Sequence, residues 1–201
     1  VTEPPPAVII AGGAARRMGG GDKALLPLAD GRVIDHLLMQ LHPQAGRIAI
    51  NANGDAARWA DAGLPVLPDP VPDRPGPLAG LLAAMLWAER LSAERVVTVA
   101  GDTPFLPADF VARLAAAGEC AIAETAGPDG HARQHPVCGL WPVAAAPALR
   151  ATLARGERRV MRFCEAAGAR HVRFGGGRPP PFFNINTPED LAEAERFLAG
   201  R

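Results

Sequence analysis

Val8-Ile-Ile-Ala-Gly-Gly-Ala-Ala-Arg-Arg-Met-Gly-Gly-Gly-Asp-Lys23 decides how the rest of the chain is read: an apolar run empties into a glycine-rich loop carrying Arg16, Arg17 and Lys23. The run Val8-Ile9-Ile10 is too short for a helix and does not alternate, which predicts a strand buried on both faces at the centre of a parallel sheet. Ligands of open α/β sheets bind beyond the carboxyl ends of such strands. Glycines there let backbone N–H groups approach an anion without a Cβ in the way, and the three basic side chains add charge. The stretch therefore predicts a phosphate-gripping loop.

The 201 residues suit a single domain, expected over 7–201 behind a proline-rich mobile tail at 1–6. Twenty-one basic and 21 acidic side chains cancel, so the overall field offers nothing for nucleic acid or an anionic membrane. Any preference for anions must be local. No apolar run reaches the length of a membrane span, and the opening residues lack the features of a signal peptide; a soluble cytoplasmic protein is the expectation. Cys120, Cys138 and Cys164 fit neither a disulfide framework nor a zinc-ligand spacing and are expected to be reduced and buried. Of the 21 basic residues 20 are arginine, and Lys23 is the only lysine. A lysine kept where arginine has replaced all others points to a need for a compact ammonium charge, which the planar guanidinium does not imitate.

Strands and helices alternate along the chain. A first strand over 7–11 and the glycine loop lead to a turn at Asp30-Gly31 and a helix over 33–41. A strand over 47–51 ends in Asn51-Ala-Asn-Gly54; a short helix over 56–62 and a short strand ending at Asp69 follow. Four prolines between Pro70 and Pro77 exclude regular structure, and a wide-faced apolar helix runs from there to about Leu91. Arg95 to Ala100 is a second fully apolar strand, followed at once by Gly101-Asp102. If it neighbours the first strand, Asp102 faces the glycine loop and can hold a divalent cation against phosphates bound there. A helix over 108–117, a strand over 120–124, a loop over 127–135, a strand over 136–141, helices over 144–155 and 159–167 and a strand over 170–174 complete the alternation. The turn residues before His131 and His135 argue against a helical zinc pair. Gly175 to Pro181 reads as a flexible-then-stiff connector. Thr187-Pro188 with Asp190 is a helix start, ahead of which Asn184 and Asn186 alternate with apolar residues and point to one side.

The expected fold is thus α/β: a single-domain, Rossmann-like three-layer sandwich, with a mostly parallel central sheet and helices on both faces. The usual nucleotide signatures fail. Lys23 lies between Asp22 and Ala24, so there is no Gly-x-x-x-x-Gly-Lys-Ser/Thr, and no Gly-x-Gly-x-x-Gly begins at Gly12. What remains is a loop of backbone donors, one bidentate fork at Arg17 and one point charge at Lys23, sufficient for a triphosphate.

Ala11-Gly-Gly-x-x-Arg-Arg-Met-Gly-Gly-x-Asp-Lys23 resembles the signature loop of nucleotidyltransferases of the nucleotide-diphospho-sugar transferase fold. More narrowly the chain resembles the molybdenum cofactor guanylyltransferases, through Asn51-Ala-Asn53, Asp69, Gly76-Pro-Leu-Ala-Gly80, Asp102-Thr-Pro, His135-Pro-Val, Gly156-Glu-Arg-Arg-Val-Met161 and Asn184-Ile-Asn-Thr-Pro188, in that order. The resemblance implies GTP and molybdopterin, with or without molybdenum, as substrates, Mg2+ as cofactor, and transient contacts with the proteins that supply and receive the pterin. It places the GTP site in the N-terminal half, at Ile10, Ala11, Gly12, Gly13, Lys23, Asn51, Asp69, Gly80 and Asp102. Asp102 would also hold the metal, Arg17 and Lys23 would spread the transition-state charge, and Asn184 and Asn186 would face the pterin in the C-terminal half. Two rival readings are a cytidylyltransferase on the same pterin or a sugar-phosphate nucleotidyltransferase, and a nucleotide-binding carrier or sensor without catalysis.

Overall fold

A computed structural model describes residues 3–12, 22–71, 76–127 and 130–200. The first strand, β1 (Ala7–Ile10), sits inside a seven-stranded sheet, as its apolar run predicts. Ala7 and Ile9 enter one core and Val8 the other, all three fully buried, so the period-2 alternation of the strand divides an unbroken apolar run between two faces. Each such valine or isoleucine contributes roughly 1.5–3 kcal/mol by burial.

After a 3-10 turn at Lys23–Leu25, two short strands, β2 (Pro27–Leu28) and β3 (Gly31–Arg32), form a hairpin of their own and lead into α1 (Val33–Leu41). Then come β4 (Ile48–Asn51), a 3-10 helix at Ala56–Ala62, β5 (Val66–Leu67), α2 (Pro77–Arg90), β6 (Arg95–Ala100) and α3 (Phe110–Ala117). The remainder is β7 (Ala121–Ala126), β8 (Ala132–Pro142), α4 (Ala146–Ala154), α5 (Val160–Ala166), β9 (Arg170–Phe174) and α6 (Pro188–Ala199). The sheet order is β5-β4-β1-β6-β8-β7-β9. Only β8 runs against the others, pairing antiparallel with β6 and β7. Leu37 and Leu41 of α1 and Phe110 and Leu114 of α3 cover one face; Leu78, Leu82 and Met85 of α2, Leu149 of α4 and Phe163 of α5 cover the other. The three layers expected from the sequence are present.

Two expectations need correction, and one small element escapes the sequence pattern. The loop over 127–135 is shorter, because the turn closes a hairpin: Ala126 already pairs with Ala132, and β8 therefore takes in 132–135. The hairpin β2–β3 has strands of two residues, too short to carry any alternation. The presumed tail is engaged from Pro5 on: proline lacks an N–H, but the carbonyls of Pro5 and Pro6 accept from Gly46 N and Val97 N at 3.1 and 2.9 Å. No helix among the described residues is long and apolar enough to cross a membrane.

A third apolar cluster positions the site. Leu28, Val33, Phe105, Ile185, Ala194 and Phe197 pack α6 and the small hairpin onto the segment that follows β6. Gln40 of α1 pins that segment, donating to Pro104 O at 2.6 Å and accepting from Leu106 N at 2.8 Å. Ile185 N donates to Asp102 O and Phe182 N to Phe105 O, both at 2.9 Å, which lays residues 182–186 against the end of β6.

Candidate active site

The carboxyl ends of β4, β1 and β6 lie side by side, with Ile10 paired to Asn51 on one flank and Ala100 on the other. The chain leaves β6 through Gly101, where a Cβ would stand 3.2 Å from Ile10 O and from the Ala11 Cα. Glycine is what allows the two strand ends to stay this close. A cleft of about 370 Å³ opens above them, lined by Ile10, Ala11 and Gly12, by Lys23 and Asp102, by Asn51 and Asp69, and by Asn184. Gly76 and Pro77 complete one wall, so α2 points its N-terminal end, the positive end of its dipole, at the cleft. Gly76 takes φ +85°, a conformation open to glycine but not to a branched side chain.

Lys23 stands at the centre. Its ammonium donates to Asp102 Oδ2 at 3.2 Å and to Asn186 Oδ1 at 2.5 Å, from side chains 79 and 163 residues away. Both members of the ion pair keep about one-fifth of their side-chain surface exposed, so the charges are partly dried but open to a ligand. Asn186 itself is fixed at its backbone, whose N–H donates to Asp190 Oδ2 at 2.8 Å; the same carboxylate accepts from Thr187 N, while Thr187 Oγ1 accepts from Asp190 N. That reciprocal cap is the helix start foreseen at Thr187.

On the other side, Asn51 is 1% exposed and donates its amide hydrogens to Leu67 O and to Asp69 Oδ1, both at 3.0 Å. Asn53 grips the same aspartate twice, from Nδ2 to Oδ2 at 2.7 Å and from Asp69 N to Oδ1 at 2.9 Å. The Asp69 carboxylate is oriented by two amides and still has lone pairs to offer. Asn184 Oδ1 is buried with no hydrogen-bond partner among the described residues, an acceptor suited to a ligand's N–H.

Ile10, Ala11, Gly12, Lys23, Asn51, Asp69, Asp102 and Asn184 thus share one cleft, and Asn186 reaches it through Lys23. Gly80 is not in the wall. It lies in the first turn of α2 behind Asn51, where a Cβ would collide with Asn51 Oδ1, so its part is to make room. Gly13 and Arg17 lie outside the described residues. The Asn51-Ala-Asn53 motif gives Asn53 no role by itself; only the fold brings it to Asp69. His135 is a core residue: its Nε2 is 2.8 Å from Thr125 Oγ1, its ring packs on Phe182, and burial, aided by the charge of Arg133, pushes its pKa down to about 4. The three cysteines are free and buried, and burial raises their thiols to about 11 or 12. A larger cleft, about 620 Å³, opens at the opposite end of the sheet beside Pro5, Arg47 and Arg95, far from the carboxyl-end residues.

The family described as the MobA-like NTP transferase domain matches residues 7–172. A molybdenum cofactor guanylyltransferase of Cereibacter sphaeroides is 50% identical over 179 residues, 88% of either chain. The crystal structure of a molybdopterin-guanine dinucleotide biosynthesis protein A from Archaeoglobus fulgidus superposes with a TM-score of 0.74 at 22% identity, covering 98% of this chain and all of that one. A 4-diphosphocytidyl-2C-methyl-D-erythritol synthase of Anaerococcus prevotii superposes almost as well, TM-score 0.72 at 14% identity over 98% and 96% of the chains. The fold by itself therefore does not choose the reaction.

Proposed function

Because the chain belongs to the MobA-like NTP transferase family, we propose that it is a molybdenum cofactor guanylyltransferase, transferring GMP from GTP to the terminal phosphate of molybdopterin and releasing pyrophosphate. Guanylyltransferase relatives matched over 88% of their length support the reaction, and the contact of Lys23 with both Asp102 and Asn186 is the observation that carries the site. It joins the nucleotide loop to the segment assigned to the pterin.

The nucleophile needs no dedicated base. A phosphomonoester has its second pKa near about 6, so the acceptor phosphate is largely ionised at neutral pH. One of its oxygens attacks the α-phosphorus of GTP in line, the bond to the bridging oxygen of the β-phosphate breaks, and that oxygen leaves with pyrophosphate. What the protein supplies is placement and charge. Lys23, Arg17, the N–H groups around Gly12 and the N-terminal end of α2 would bind the triphosphate and stabilise the charge that shifts across it. Asp69 would accept from the N1–H and amino group of guanine, an edge that cytosine lacks. Asn184 Oδ1 would accept from an N–H of the pterin.

Mg2+ is held by one or two carboxylates, with substrate oxygens and water filling its octahedron. The donors fit: Asp102 offers one carboxylate at the cleft, and among the described residues no group of three or more metal-ligating side chains forms a cage. Asp102 would hold the ion, which when bound supplies neutralising charge to the phosphates. The reaction is proposed for the cytoplasm, with only transient contact between this chain and the proteins that supply and receive the pterin.

The test is pyrophosphate release from each of the four nucleoside triphosphates, with molybdopterin and with Mg2+ or a chelator. Release with GTP and Mg2+ alone is expected. Preference for CTP would make the chain a cytidylyltransferase, and no release with any nucleotide would favour a carrier or sensor.

A further inference from the structure

Arg58, which belongs to no motif in the sequence, holds together the two loops that carry Lys23 and Asp69. It lies in the 3-10 helix Ala56–Ala62, whose first turn is capped by Asp55 accepting from Ala57 N at 2.9 Å. Its guanidinium uses each nitrogen. Nε donates to the Asp22 carboxylate, the residue just before Lys23, while Nη2 donates to Asn53 O at 2.6 Å and Nη1 to Asp55 O at 2.5 Å. The flat group also lies 5.5 Å from the centre of the buried Trp59 ring. Gly54, at φ +86°, keeps the space clear: a Cβ there would stand 3.3 Å from Arg58 Nη1.

Two of these contacts lead into the cleft. Asp22 O accepts from Leu25 N at 3.0 Å, closing the 3-10 turn on which Lys23 stands. Asn53, whose carbonyl Arg58 holds, is the residue that grips Asp69 at both ends. An exposed ion pair is worth little. Here the Asp22 and Arg58 side chains are 16% and 30% exposed, and the guanidinium has two further backbone acceptors in fixed directions. A rigid fork serves three acceptors at once, which a lysine ammonium at the end of a flexible stem does not.

We propose that Arg58 is a positioning residue for nucleotide transfer: it fixes Lys23 through Asp22 and Asp69 through Asn53, so that one side chain sets the distance between the phosphate charge and the carboxylate assigned to the base. The kinetic consequence rests on the guanylyltransferase reading; the placement of Lys23 does not.

The single lysine gives a direct probe. Brief acetylation of the folded chain, followed by mass spectrometry of the Lys23 peptide, measures how firmly that ammonium is held. In Arg58→Ala the labelling rate is expected to rise by about 3- to 10-fold, as a locally opened segment exchanges more freely, with Arg58→Lys and the near-isosteric Asp22→Asn in between. In steady state with molybdopterin, Arg58→Ala is expected to raise the KM for GTP about 10-fold and lower kcat about 10-fold, within the range that a small misplacement of a catalytic group produces. Placed on top of Lys23→Ala, it should lower kcat no further, because it acts through the missing residue. Labelling within two-fold of wild type in folded Arg58→Ala and Asp22→Asn would overturn the proposal, as would a full additional kcat loss in the Lys23→Ala background. Faster labelling in Arg58→Ala, together with a wild-type chain that does not use GTP, would refute the guanylyltransferase reading alone.

Discussion

Gly80→Ala is a one-methyl perturbation whose cost can be worked from neighbours. The added Cβ would collide with Asn51 Oδ1 and stand 3.0 Å from Asn51 Cγ and from Ile10 Cγ2. Two responses are open. If Asn51 stays, the overpacked contact costs about 1–3 kcal/mol. If Asn51 swings away, it gives up its bonds to Leu67 O and to the Asp69 carboxylate, at about 1 and about 1.5–3 kcal/mol. The cheaper response governs, and alanine returns about 1 kcal/mol of helix propensity, leaving a net loss of up to about 2 kcal/mol. Either way the walls proposed to hold the nucleotide shift, so the KM for GTP should rise along with the loss of stability. Urea unfolding of wild type, Gly80→Ala, Asn51→Ala and the double variant isolates the clash. With the asparagine already removed, most of the penalty of Gly80→Ala should go, leaving only the contact with Ile10 Cγ2. The same penalty in both backgrounds would refute the assignment of Asn51 as the obstacle.

Lys23→Ala should lower turnover about 10²- to 10³-fold, the usual loss when one preorganised donor is removed, and near-normal turnover would take Lys23 out of the mechanism. His135 gives a pH signature. Below pH 6.5 the unfolded imidazole takes up a proton that the folded one refuses until about pH 4, so its contribution to stability is present above 6.5 and lost as pH falls through 4. The shift amounts to about 3 kcal/mol at most, and His135→Gln should show a correspondingly flatter acid side in urea titrations; parallel curves would show that the imidazole titrates normally.

Much of the fold was legible because its signals are local. The unbroken run of β1, the apolar run of β6 and the Thr187-Pro188 cap each fall within a few residues, and each formed where expected. Asp102 could be placed beside Gly12 only on the condition that β1 and β6 are neighbours, a condition the sheet order meets. The misread positions are those where local chemistry underdetermines the outcome. Turn residues announced a bend near Gly130 without showing that pairing resumes at Ala132. In the site, Gly80 looked like a ligand contact because it stands in a glycine-rich motif, whereas its neighbour is a side chain 29 positions earlier. Arg58 left no trace in the sequence, being one of 20 arginines with its carboxylate partner 36 residues away. Nothing short of the folded sheet brings those groups together.

The central claim is that GMP transfer takes place at the carboxyl ends of β1 and β6. A crystal structure with GTP and Mg2+ tests it most directly. The triphosphate is expected against Gly12 and Lys23, with the metal on Asp102 and the guanine edge on Asp69. A nucleotide seated instead in the cleft beside Arg47 and Arg95, or one whose phosphates lie away from Lys23, would contradict it.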